Sequence, residues 1–200
     1  MKIVRIALGA SVVAAMGLSL AAADPAPQKG PRKDPQASYE PRSGPGEGQK
    51  YLQRFVGKWT VVKTFYPRNG DPSVAKGDCV QTMINDGRFL KSEFTLHAEA
   101  GDTTGFGLIG FEPETGKFTS VWADSRQTRM SFRQGNEPFD GKEIHLVAAT
   151  VDPSAKPPRP SHTVSRISDD GNTITHKQFA SGADGKDRLM MELVLTRKAE

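Results

Sequence analysis

From Gly57 to Arg197 the chain alternates apolar and polar residues with period two, and a turn signal interrupts it about every ten residues. The stretch Arg188–Arg197 is the clearest: Leu189, Met191, Leu193 and Leu195 share one side, Arg188, Glu192 and Thr196 the other. The same reading predicts strands at Gly57–Phe65 (Trp59, Val61 and Phe65 on one face), Val74–Ile84, Phe89–His97 (Leu90, Phe94 and Leu96), Thr104–Phe111 and Lys117–Ala123. It continues with Thr128–Gln134 (Met130 beside Phe132), Glu143–Val151, Thr163–Ile167 and Thr173–Phe179. Turns fall at Arg68–Pro72, Asn85–Gly87, Ala100–Asp102, Pro113–Gly116, Asp140–Gly141, Asp169–Asn172 and Gly182–Gly185, with a Pro-rich loop at Asp152–Pro160. One short helix is predicted, Gln49–Val56, with Tyr51, Leu52 and Phe55 as its apolar stripe. Parallel strands need long crossovers, usually helical, and the sequence offers none. The predicted fold class is therefore all-β: a single antiparallel up-and-down barrel of about ten strands with one short N-terminal capping helix. A two-sheet sandwich is the competing architecture. At this strand count the centre of a barrel can hold a small cavity.

Ahead of the barrel lie two other segments. Residues 1–23 carry Lys2 and Arg5, an apolar run Ile6–Leu20 and the small residues Ala21–Ala23, the three parts of a secretory signal peptide. The run is short for a membrane span, which needs about 20 apolar residues, so cleavage after Ala23, an exported periplasmic or extracellular product and no stable membrane anchor are expected. Residues 24–48 hold six Pro and four Gly with almost no aliphatic residue, which predicts a disordered linker. The barrel domain is expected at 49–198. Loss of Lys2 and Arg5 leaves 25 basic against 23 acidic residues, a net charge of +2. Basic residues are interspersed with acids along the sequence, so no nucleic-acid partner is expected. The single cysteine, Cys79, excludes an intramolecular disulfide framework and a two-thiolate metal site.

Phe55-Val56-Gly57-Lys58-Trp59 opens the barrel and Leu195-Thr196-Arg197 closes it. This resembles the calycin arrangement of lipocalins and fatty-acid-binding proteins, in which a Gly-x-Trp on the first strand meets a basic residue on the last. An indole face is a good partner for a guanidinium, and the two strands become neighbours only when the barrel closes. More of the chain resembles the bacterial domain of unknown function 1579 family. The matching pieces are Phe55–Trp59, Asp86–Leu90, Gly105–Gly107 with Gly110-Phe111, Trp122–Ser125 and Glu192–Arg197. The resemblance implies a lipocalin-like barrel, often exported, and brings no catalytic residue set. The Pro-rich insertion Asp152–Pro160 departs from it.

The candidate chemistry is sparse. His97 and His145 sit on faces shared with charged residues and are read as solvated. His176 shares its face with Ile174, which places it inward; the resemblance to small barrels, some of which hold haem through one inward histidine, implies His176 or His162 as the candidate ligand. Asp124-Ser125 at a strand end is read as a turn bonding its own backbone, against the alternative of an acid and nucleophile at the barrel mouth. No Gly-x-Ser-x-Gly elbow accompanies it. Cys79 is read as a small buried apolar residue, and Gly105, Gly107 and Gly110 as places where strands bend or approach closely.

Two functions compete. The first is a module binding a small apolar or amphipathic ligand, with Trp59, Phe94, Phe106, Trp122 and Phe132 as lining and Arg129, Arg166 or Arg197 as polar anchor. Leu108, Met130, Met191 and Leu193 extend that lining. The second is a hydrolase-like site at the cavity using Asp124, Glu93 or a histidine. A purely structural or interaction role, with the same side chains filling the core, stands beside both. No catalytic residue, metal or resident cofactor is assigned, and the oligomeric state is left open.

Overall fold

The computed structural model describes residues 35–36, 43–148, 160–181 and 185–199. The predicted signal peptide, most of the predicted linker, and most of the Pro-rich insertion lie outside the described residues. The helix α1 (Glu47–Gln53) is followed by β1 (Gly57–Phe65), β2 (Ser73–Ile84), β3 (Phe89–Ala98), β4 (Gly101–Glu112) and β5 (Lys117–Asp124). Then come β6 (Ser131–Gln134), β7 (Ile144–Ala148), β8 (Ser161–Ile167), β9 (Thr173–Ser181) and β10 (Asp187–Arg197). Every strand pairs antiparallel with its sequence neighbour, and β1 pairs with β10, so the sheet is a closed up-and-down barrel. The closing seam runs from Trp59 opposite Arg197 to Phe65 opposite Met191.

The helix begins two residues earlier and ends three earlier than the sequence predicts. Its start carries no Ser, Thr, Asp or Asn signal. Gly46 precedes it, and the Gly46 N–H donates to Gln49 Oε1 (2.7 Å), a job usually shared with an N-cap side chain. Its end unwinds through Arg54, Phe55 and Val56, whose N–H groups bond to the carbonyls three residues back. Gln49 Nε2–H also donates to Phe111 O (2.8 Å), which docks the helix on β4. Tyr51, Leu52 and Phe55 are thereby buried, with Trp59, Phe111, Phe118 and Phe139 around them. This aromatic cluster, with ring centroids 4.9 Å apart for Tyr51–Phe139 and for Phe111–Phe118, closes one end of the barrel.

Three face assignments differ from the sequence reading. The strand β10 carries a bulge: Leu189 is opposite Phe179 but Met191 is opposite Gln178. The extra residue flips the alternation, so Arg188, not Leu189, shares the interior side with Met191 and Leu193. On β6, Ser131 and Arg133 take the interior side while Met130 and Phe132 are 54% and 50% exposed. On β4 the interior side belongs to Gly105, Gly107 and Ile109, opposite Asp124, Trp122 and Ser120. The glycines make room for an indole. A Cβ on Gly105 would lie 2.4 Å from the Trp122 ring, and one on Gly107 would lie 3.2 Å from it.

Candidate ligand-binding cavity

The barrel encloses a cavity of about 950 Å³, within the range of small-molecule sites, roughly 300–1,000 Å³. One wall is apolar: Leu90, Phe94 and Leu96 of β3, Ile109 of β4 and Trp122 of β5. The other side carries polar groups from β6, β8 and β9, namely Arg133, Ser161, Thr163, Ser165, His176 and Gln178, with Ile144 and Leu146 of β7 between them. The helix residues Leu52 and Phe55 form its floor. Its mouth lies among the loops at the other end, with Arg68, Arg126, Gln127, Arg129, Met130 and Lys186.

Trp122 is held rather than loosely packed. Its Nε1–H donates to Asp124 Oδ2 (2.9 Å) and its ring meets Phe94 edge-on at 5.4 Å. Asp124 also accepts from the Arg126 backbone N–H (3.0 Å), Nε (3.1 Å) and Nη2 (2.7 Å). The Arg126 guanidinium bonds, aided by Trp122 and against the pull of burial, hold this carboxyl well below the usual carboxylate range. Asp124 is thus a fixed anion committed to four donors, not a proton donor near neutral pH. Ser125 Oγ accepts from Thr104 N–H (3.1 Å), so the Asp-Ser pair forms a bonded turn. Glu93 faces out and pairs with Lys91 at 2.9 Å.

The histidines separate. His97 pairs with Asp102 (2.8 Å) and His145 with Glu143 (3.2 Å), both on the outer surface. His162 stacks on Phe179 at 4.9 Å and lies 3.7 Å from Asp187, on the side of β8 opposite the cavity. His176 faces in, its Nδ1 sharing a hydrogen bond with Ser165 Oγ (2.7 Å). Burial, reinforced by the charge of Arg133, pushes its pKa down to about 4, so its imidazole is neutral at pH 7. Lys63, on the interior side of β1, has its pKa lowered by burial and by the charge of Arg126.

Of the residues singled out in sequence, Phe94, Trp122, Arg129 and Phe132 border the cavity. Phe132 does so from a half-exposed position, out of step with inward Ser131 and Arg133. The other four lie elsewhere. Phe106 is on the outer surface opposite Glu93. Arg166 is also outside, 3.9 Å from Glu143. Trp59 is wholly buried beside the floor, its Nε1–H donating to Phe55 O (3.0 Å). Arg197 lies over that indole, 4.1 Å from its centroid. Leu108, Met130, Met191 and Leu193 all border the cavity. Sequence reasoning missed Lys63, Arg133, Thr163, Ser165 and Gln178, all polar residues on interior faces. Lys63 shares parity with Trp59 on β1, Gln178 with Ile174 on β9, and Thr163 and Ser165 with Ile167 on β8, while Arg133 on the short β6 had no apolar neighbour in step with it.

The family model for a protein of unknown function, DUF1579, matches residues 44–197. The chain belongs to the DUF1579 family. No curated protein matches it in sequence. Among solved structures, Rv2717c from M. tuberculosis is similar at a TM-score of 0.55 and 17% identity, over 77% of this chain and 99% of that one. The S-type phycobiliprotein lyase CPES from Guillardia theta is similar at a TM-score of 0.50 and 10% identity, over 76% of this chain and 93% of that one. At these identities the likeness is one of fold alone.

Proposed function

We propose that this DUF1579 domain is a binding module that takes one small amphipathic molecule into its barrel, in a chain exported and cleaved after Ala23. The observation that carries the reading is the cavity itself, about 950 Å³ with an apolar wall on one side and polar groups on the other. A simple packed core would fill that space with aliphatic side chains. Here Gly105 and Gly107 are kept small to seat Trp122, and Gln81 Oε1 and Thr163 Oγ1 are buried in the wall without a hydrogen-bond partner among the described residues. Likeness of fold to a protein described as a phycobiliprotein lyase supports a barrel of this kind accommodating a ligand.

Native mass spectrometry and displacement of a fluorescent fatty-acid probe test the reading. A one-to-one complex that survives desalting is the expected result. Absence of binding in both assays rejects it. Export is tested separately: N-terminal sequencing of secreted material should begin at Asp24, and a product beginning at Met1 rejects cleavage.

One observation favours a second reading, a porphyrin held through His176. That imidazole is neutral, faces the cavity and has Nδ1 occupied by Ser165, which leaves Nε2 for iron. Titration with haem, read at the Soret band in the wild type and in His176→Ala, decides it.

A further inference from the structure

We propose that the head group of the ligand is a carboxylate and that Arg133, inside the cavity, is its receptor; this rests on the binding-module reading above.

Three observations converge on Arg133. It projects from the interior side of β6 into the polar wall. Its Nη1 donates to the Ser161 carbonyl (3.4 Å) and Oγ (3.3 Å). Its Nε and Nη2 have no partner among the described residues, and these two groups form the edge of a guanidinium that grips a carboxylate with two parallel bonds. No carboxylate among the described residues pairs with it, and burial alone lowers its pKa. A desolvated cation without a counter-ion is costly, and an incoming anion removes that cost.

The surroundings fit the same ligand. Seven basic side chains border the cavity (Lys63, Arg68, Arg126, Arg129, Arg133, Lys186 and Arg188) against two carboxylates, Asp124 and Asp187. Both carboxylates are engaged, Asp124 by Arg126 and Asp187 by Ser181 Oγ and His162. Five of the basic residues come from loops or strand ends far apart in sequence, and the up-and-down connections gather them at the mouth. With a mature net charge of only +2 expected from sequence, such a concentration focuses an attractive field on the opening. Ser165, His176 and Gln178 lie on the same polar wall as Arg133, while the apolar wall from Leu90 to Trp122 offers a bed for the body of the molecule.

The test uses cis-parinaric acid and its methyl ester, titrated by fluorescence into wild type, Arg133→Met, Arg133→Lys and the outward control Arg166→Met. In wild type the acid should bind at least about 30-fold more tightly than the ester, the effect of removing one partner from a buried charge pair. Arg133→Met should bring the acid down to the level of the ester, Arg133→Lys should recover part of the difference, and Arg166→Met should change neither. Should Arg133→Met fail to fold by near-ultraviolet circular dichroism, the wild type still decides. There the acid, by offsetting the charge of Arg133, should raise the pKa of His176 measured by NMR, and the ester should not. Equal wild-type affinity for acid and ester, or no effect of Arg133→Met in a folded protein, overturns the head-group assignment and leaves cavity binding standing. Tighter binding of hexadecyl phosphate than of hexadecanoic acid, measured by displacement, overturns the carboxylate in favour of a phosphate. Failure of both acid and ester to bind overturns both proposals.

Discussion

The guanidinium of Arg197 lies 4.1 Å over the Trp59 ring, and the two residues are directly opposed across the β1–β10 seam. Three carbonyls tie it down: Gly171 O accepts from Nε (2.8 Å), Val56 O from Nη1 (2.8 Å) and Arg54 O from Nη2 (2.9 Å). One side chain from the end of the chain therefore binds the approach to the first strand, the first strand and the β8–β9 turn. Replacing it with methionine should cost about 2–3 kcal/mol, from the lost cation–aromatic contact and hydrogen bonds. Urea denaturation measures it; a loss below about 0.5 kcal/mol, the level of an ordinary surface change, would reduce the contact to decoration.

Gly105 should resist enlargement. An added methyl meets the Trp122 ring at 2.4 Å, and the indole cannot swing away without giving up its bond to Asp124. Gly105→Ala is expected to cost about 1–3 kcal/mol and to shift tryptophan emission. Unchanged emission and stability would mean that the indole has another place to go.

Two groups give the protein an acid limb in two separable parts. His176 has a depressed folded pKa, about 4, against about 6.5 unfolded. Between those values the unfolded chain holds more protons than the native one, so stability falls as pH is lowered across the window, at most about 1.4 kcal/mol per pH unit. His176→Gln should flatten urea midpoints between pH 6.5 and 4.

Asp124 acts lower. Its folded pKa is depressed, so its contribution is fully present above its unfolded pKa, about 3.9, and is lost as pH falls through the folded value. Asp124→Asn should lower stability at pH 7 by about 1.5–3 kcal/mol and remove the dependence below about pH 4. A parallel offset at every pH would assign the acid sensitivity elsewhere.

Cys79 should be inert while the barrel is closed. Burial pushes its thiol pKa up to about 12, and thiolate is the reactive form. Alkylation should follow the global unfolding curve in urea. Rapid modification in buffer would show that β2 opens locally.

The sequence carried the architecture because each strand needed only its period and its turn, and because Gly57-Lys58-Trp59 and Arg197 are distinctive at the two ends. Gly57 is itself constrained, with φ +144 and Arg197 Nη1 only 2.5 Å from where a Cβ would stand. The interior wall was harder to read. Choosing faces by hydrophobicity places Met130 and Phe132 inside, and it passes over Ser131 and Arg133. That rule describes a packed core, whereas a cavity presents both polar and apolar groups inward. Phe106 misleads in the same way, since the inward positions on β4 are glycines that only Trp122 explains. The bulge at Leu189–Met191 has no sequence signature beyond an apolar run, and it decides that Arg188 points to the cavity side.

The strand β6 is four residues long and, among the described residues, meets β7 at Arg133–Ala148 and Gln134–Val147. In a ring of ten strands it stands diametrically across from β1. Among the described residues, the hoop is therefore fastened by more backbone pairs at the β1–β10 flank than at the β6–β7 flank. Breathing of the wall concentrates where backbone bonds are fewest, so amide protons of β6 and β7 exchange ahead of those at the clasp.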